Sequence, residues 1–104
     1  MIYSVKAKFI EEKLSEFYEK LTDGTISNQK PDGNEIVNSM KRAKITDSGI
    51  ISWSEMCFCS PPLKHERETV YNDYLTDMET EIIDDYVEYS GKSFFEFLEK
   101  QFKK

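Results

Sequence analysis

The side chains best suited to chemistry fall within one stretch, Ser52–Tyr71 (SWSEMCFCSPPLKHERETVY), which holds the one Trp, both cysteines and the one His. Cys57 and Cys59 stand one residue apart, a spacing that turns both sulfurs to the same side of an extended chain. With His65 and Glu66 close behind, they outline a metal site. Structural zinc, however, normally takes four ligands with wider cysteine spacing and a second ligand pair, and free cysteine is among the most buried residue types. The spacing therefore favours packing: reduced thiols, no metal and no cofactor. A cysteine nucleophile activated by His65 is the next possibility, but the chain carries no G-x-S-x-G, no C-x-x-C and no Gly-rich phosphate loop.

A second constellation uses Trp53, Glu55, His65 and Arg67. Trp53 offers a flat apolar platform with one N–H donor. Glu55 shares a strand face with Trp53 and Cys57. Desolvation there raises a carboxyl pKa and suits it to proton transfer. Lys6 or Lys8 from a neighbouring strand would instead pair with it, lower the pKa and make it structural. Arg67 lies four residues from both Leu63 and Tyr71, so it shares their helical face. Its guanidinium fits a carboxylate or phosphate ligand, or equally an ion pair at the rim of the core. These four residues form the candidate ligand site.

The elements that must position these groups follow from apolar periodicity. Residues 2–9 alternate, with Tyr3, Val5, Ala7 and Phe9 on one face and Ser4, Lys6 and Lys8 on the other. The period then becomes helical over 10–22. Pro31-Asp32-Gly33-Asn34 is a turn signal, followed by a short helical turn at Asn34–Met40. Strands are expected near 41–46 and 50–58, joined by Thr46-Asp47-Ser48-Gly49 as a hairpin loop. A helix starts after Pro61-Pro62 and runs over 63–75. Residues 78–86 fit both strand and helix; Thr80, Ile82, Ile83 and Tyr86 favour strand. A last helix at 93–102 opens with Ser93 and Glu96 in capping-box spacing. The order predicts one α+β domain over 1–104, a ferredoxin-like β-α-β-β-α-β with an additional C-terminal helix. Its sheet is antiparallel with helices on one face.

Composition narrows the function classes. The chain has 104 residues, 20 acids against 14 bases and a net charge of −6. No Lys or Arg occurs between Asp73 and Glu88, and a nucleic-acid binder would show a basic stripe, so nucleic acid is not an expected partner. No apolar run approaches the ~20 residues of a membrane span, and Lys6 and Lys8 interrupt any signal-like N-terminus; the expectation is cytoplasmic. The acidic run also lacks the EF-hand pattern.

Strand 50–58 mixes apolar and polar groups on both faces, which suggests cover on both sides. The aromatic stripe Phe94, Phe95, Phe97, Leu98 and Phe102 is wide enough for two surfaces. Together they point to a homodimer. The leading functional reading is a non-catalytic protein that self-associates or docks a partner through its sheet face and C-terminal helix. The alternative is a small-molecule site or small enzyme at Trp53, Glu55, His65 and Arg67. Metal binding through Cys57, Cys59 and His65 comes third.

Overall fold

The alternation at the N-terminus becomes the strand that organises the sheet. In the computed structural model, which describes residues 1–103, β1 (Ile2–Phe9) buries Tyr3, Val5 and Ala7 and exposes Lys6 and Lys8. It lies between β3 (Ile50–Met56) and β4 (Leu75–Ile83). With β2 (Lys44–Ile45) and β5 (Lys92–Ser93) the strand order is β4-β1-β3-β2-β5, and every pairing is antiparallel. The class is α+β, as the pattern predicts.

Helices cover the face that carries Val5, Ile51 and Trp53. After a 3-10 turn, α1 (Leu14–Thr22) turns Leu14, Phe17 and Leu21 inward. Helix α2 (Gly33–Arg42) adds Ile36, Val37 and Met40. The third helix, α3, starts as Lys64–Glu66, widens into a π-helical stretch at Arg67–Tyr71 and closes as Asn72–Tyr74. The last, α4 (Phe94–Phe102), opens on Ser93, whose side chain accepts from Glu96 N–H at 3.2 Å. These elements share one core, in which the Phe17 ring stacks on Tyr74 at 4.6 Å and lies 6.2 Å from Phe94.

Several boundaries correct the sequence reading. The short turn expected at 34–40 is the middle of a ten-residue helix, because Ile36, Val37 and Met40 repeat at helical spacing against the sheet. That helix takes in Lys41 and Arg42, so the strand expected at 41–46 shrinks to two residues. The β3 ladder left open by so short a partner is closed by side chains of α2. The Glu35 carboxylate accepts from Met56 N–H at 2.9 Å, and Arg42 donates to the Ser54 carbonyl at 2.9 Å. Strand β4 starts at Leu75, not 78, and ends at Ile83, with Asp77 in a left-handed conformation (φ 54°) where the pairing to β1 shifts register. Tyr86, expected in that strand, lies outside it.

Residues 84–90 instead cross the second face of the sheet as an irregular strap, from the β4 edge to the β5 edge. Val87 exchanges hydrogen bonds with the Ser54 hydroxyl (3.1 and 3.3 Å), and the Tyr89 hydroxyl bonds that of Ser4. Tyr86 donates to Glu35 at 2.9 Å while Arg42 sits over its ring, 4.6 Å from the centroid. This strap is what covers the second face of β3, and it explains why Ser52 and Ser54 are buried. The aromatic stripe of α4 is likewise met within the chain: Phe97 packs at 5.8 Å from Phe9 and Phe102 at 6.2 Å from Tyr18. Both features that suggested a second subunit therefore have partners in the same chain. No helix among the described residues is long and apolar enough to cross a membrane.

Candidate functional site

The end of β3 delivers the cysteines. Cys57 N–H donates to the Met1 carbonyl at 2.8 Å, so the chain stays aligned beside β1 one residue past the strand. Cys59 N–H then donates to Cys57 Sγ at 3.1 Å, which draws the two residues together. After the proline pair, Leu63 reverses the chain with a left-handed backbone (φ 58°) while its side chain is fully buried. That conformation is uncommon for a residue with a bulky side chain, and such strain collects at functional sites. It feeds directly into α3, whose first turn carries His65 and Glu66.

Glu66 is 1% exposed, and its Oε1 lies 3.6 Å from Cys57 Sγ and 3.4 Å from Cys59 Sγ. No other hydrogen bond reaches this carboxylate among the described residues. From the opposite wall comes Asp32, whose Oδ2 is 2.7 Å from His65 Nδ1. Gly33, next to it, is buried where a Cβ would run into the Ile26 carbonyl oxygen, so only glycine lets the chain start α2 and still present Asp32 here. Together with Pro31, Glu35, Met56 and Phe58, the side chains of Asp32, Cys57, Cys59 and Glu66 line a cleft of about 270 Å³; His65, held by Asp32, adjoins it without being part of that lining.

The cleft gathers metal-ligating atoms in two overlapping triads. Cys57, Cys59 and Glu66 form one; Asp32, His65 and Glu66 form the other; within each, the ligand atoms lie within 4.8 Å of one another. Burial pushes the Cys57 thiol up to about 12, with the thiol and carboxylate neighbours Cys59 and Glu66 adding to the shift. Without a cation beside it this sulfur remains protonated at neutral pH and is no nucleophile. The hydrogen bond to Asp32 raises the pKa of His65 above its ordinary value.

Of the four residues in the candidate ligand site, only His65 reaches this region. Trp53 and Glu55 are fully buried, so neither presents a surface to a ligand. Glu55 lies on the core face opposite Tyr3 of β1 and accepts from Trp53 Nε1 at 2.8 Å and Tyr71 OH at 2.6 Å. The strands are neighbours as expected, but Lys6 and Lys8 occupy the other face, and Lys8 approaches Asp77 at 3.9 Å. The ion-pair reading of Glu55 is therefore replaced by the desolvated one: burial raises its pKa to about 8 against the pull of its two hydrogen bonds. Arg67 is half-buried on α3 and does not line the cleft; it makes no ion pair or side-chain hydrogen bond with the described residues.

Asp32 carries no sequence signal beyond its turn. It stands 33 positions before His65, and nothing local distinguishes it from a helix-start residue. Glu66 is visible only as part of a charged helical turn. No family model, curated protein or solved structure matches this chain.

Proposed function

We propose that this protein binds a soft or borderline divalent cation of the zinc class in the cleft, with Cys57, Cys59 and Glu66 as ligands. The observation that carries the reading is the environment of Glu66: a buried carboxylate whose hydrogen-bond partners are two thiols. Thiols are weak donors, and a buried charge calls for strong donors, an opposite charge or a metal. Thiolate and carboxylate are both zinc ligands. A bound cation deprotonates coordinating thiols outright, turning two weak donors into two strong ligands. Three protein ligands on a cleft wall leave a coordination position for water or a small molecule, the arrangement of sites that exchange a ligand.

The reading sits on a fold we take to be ferredoxin-like. The path from β1 through the helices to the β2–β3 pair and on to β4, with neighbours β4-β1-β3-β2 all antiparallel, supports it; β5 and α4 are then additions. Reduced thiols suit a cytoplasmic setting. A second reading, docking of a partner or of a second copy, is favoured by Phe58, which is 85% exposed beside the cleft. Light scattering at high micromolar concentration tests it, and a monomer would remove the second copy.

For the metal, the chelator-treated, reduced protein is titrated with cobalt(II). A thiolate-to-cobalt charge-transfer band is expected in the wild type and absent from Cys57→Ser and Cys59→Ser, with zinc displacing the cobalt. A wild type without the band, or serine variants that keep it, would overturn the proposal.

A further inference from the structure

We infer that the cleft is a two-cation site, in which Asp32 and His65 hold a second, borderline divalent ion and Glu66 bridges the two. The inference rests on the reading of Cys57, Cys59 and Glu66 as a metal site and adds to it. The two triads share Glu66 but do not merge into one group of five whose ligand atoms all lie within 4.8 Å. Zinc–ligand bonds of about 2.0–2.3 Å require the ligands of one tetrahedral ion to lie within roughly 4 Å of one another. One ion therefore cannot take all five groups as they stand, whereas two ions sharing a carboxylate can. Both thiol contacts go to Glu66 Oε1, and a bridging carboxylate offers one oxygen to each ion. Such pairs stand about 3.5–4 Å apart in two-metal sites.

Asp32 gives the independent evidence. It occupies the N-cap position of α2, where aspartate is favoured because its carboxylate can accept from the first free N–H groups of the helix. Here it makes no capping bond. One oxygen turns to His65, and the other, Oδ1, is buried without a partner. A carboxylate that gives up its cap for an unsatisfied burial is oriented for something the helix does not supply. Imidazole with carboxylate suits zinc, cobalt(II) or iron(II) better than a soft monovalent ion.

The test is stoichiometry on the full chain, stripped with chelator under reducing conditions and titrated with cobalt(II) and zinc(II). The wild type is expected to take two equivalents, with the thiolate band complete after the first of them. Asp32→Asn and His65→Gln are each expected to take one and to keep the full band. A wild type that saturates at one equivalent with the band intact overturns the second site and leaves the first standing. A second equivalent that survives both substitutions overturns it as well. One equivalent in every protein, merely weakened 10–100-fold by Asp32→Asn, would make Asp32 and His65 an outer shell that orients the first site and also overturns the bridge. Absence of the band from the wild type removes both proposals. Wild-type stoichiometry decides the question even if a variant fails to fold.

Discussion

Glu55 and Glu66 are both buried, 0% and 1% exposed, yet they are handled in opposite ways. Glu55 is enclosed by the core and receives two strong donors, the Trp53 indole N–H and the Tyr71 hydroxyl. Burial raises its pKa to about 8, so near neutral pH it is held largely as the neutral acid, a polar peg in an apolar interior. Glu66 stands on the wall of a cleft, and among the described residues its hydrogen-bond partners are two sulfurs. The first carboxyl is tied to the fold through Oε1 alone, its Oε2 being buried without a partner, and is kept by taking up a proton; the second has only weak thiol donors, which is the ground of the proposed cation site. Burial alone does not separate a structural acid from a ligand, whereas the quality of its hydrogen-bond partners does.

The same substitution at both positions should break the comparison open. Glu55→Leu strands the Trp53 N–H and Tyr71 O–H in the core, at an expected loss of about 2–5 kcal/mol for two unsatisfied donors. Glu66→Leu removes a carboxylate that only thiols support and should change the stability of the metal-free protein by about 1 kcal/mol or less, while abolishing the cobalt band. Urea unfolding measures both, and equal losses would erase the distinction.

Stability against pH sharpens it. The usual Glu value is 4.5, and Glu55 is raised to about 8 in the fold. The folded state thus keeps a proton that the unfolded chain releases. The resulting stability is complete below the unfolded pKa and is lost as pH rises towards the folded one, a fall on the order of a few kcal/mol. Urea midpoints should decline from about pH 5 to pH 8 in the wild type and much less in Glu55→Gln, where no proton is at stake. Zinc at a hundred times its dissociation constant should add about 2.7 kcal/mol to the wild type and nothing to Glu66→Leu, as read by thermal shift. The smallest effect belongs to Arg67→Ala, expected to cost about 0.5 kcal/mol or less and to leave metal affinity unchanged, since Arg67 stands away from the cleft.

The division between what could and could not be read from the residues follows the range of the interactions. The alternation of Tyr3, Val5 and Ala7, the hairpin at Thr46–Gly49 and the Ser93 cap are local patterns, and each appears in the fold. Residues 78–86 fit two periods; strand pairing with β1 decides 78–83 and leaves 84–86 to the strap, and no window around Met78 contains β1. The site divides in the same way. Cys57, Cys59 and His65 stand out as residue types within one short stretch; the C-x-C spacing taken alone favours packing, and it does not reveal the buried carboxylate of Glu66 beside both sulfurs. Asp32 arrives from the far side of β2 and β3, and Glu66 depends on the reversal at Leu63. Trp53 and Glu55 looked like a ligand platform because alternation says which face a side chain takes, and not whether that face lies open.

The strap over the second sheet face has a consequence for how the chain is held together. It links β4 to β5 around the sheet, and its own contacts are a few hydrogen bonds from Val87, Tyr89 and Tyr86. What anchors the stretch beyond it lies elsewhere: Phe94 and Leu98 in the core, the Phe94 N–H bond to the Ala43 carbonyl at 3.0 Å, and β5 on β2. A single cut in the strap would therefore sever a connector without opening a strand pair, and the two pieces would remain associated. The stretch 91–103 carries its own docking residues, Phe94 and Leu98, so its attachment to the core does not depend on the strap.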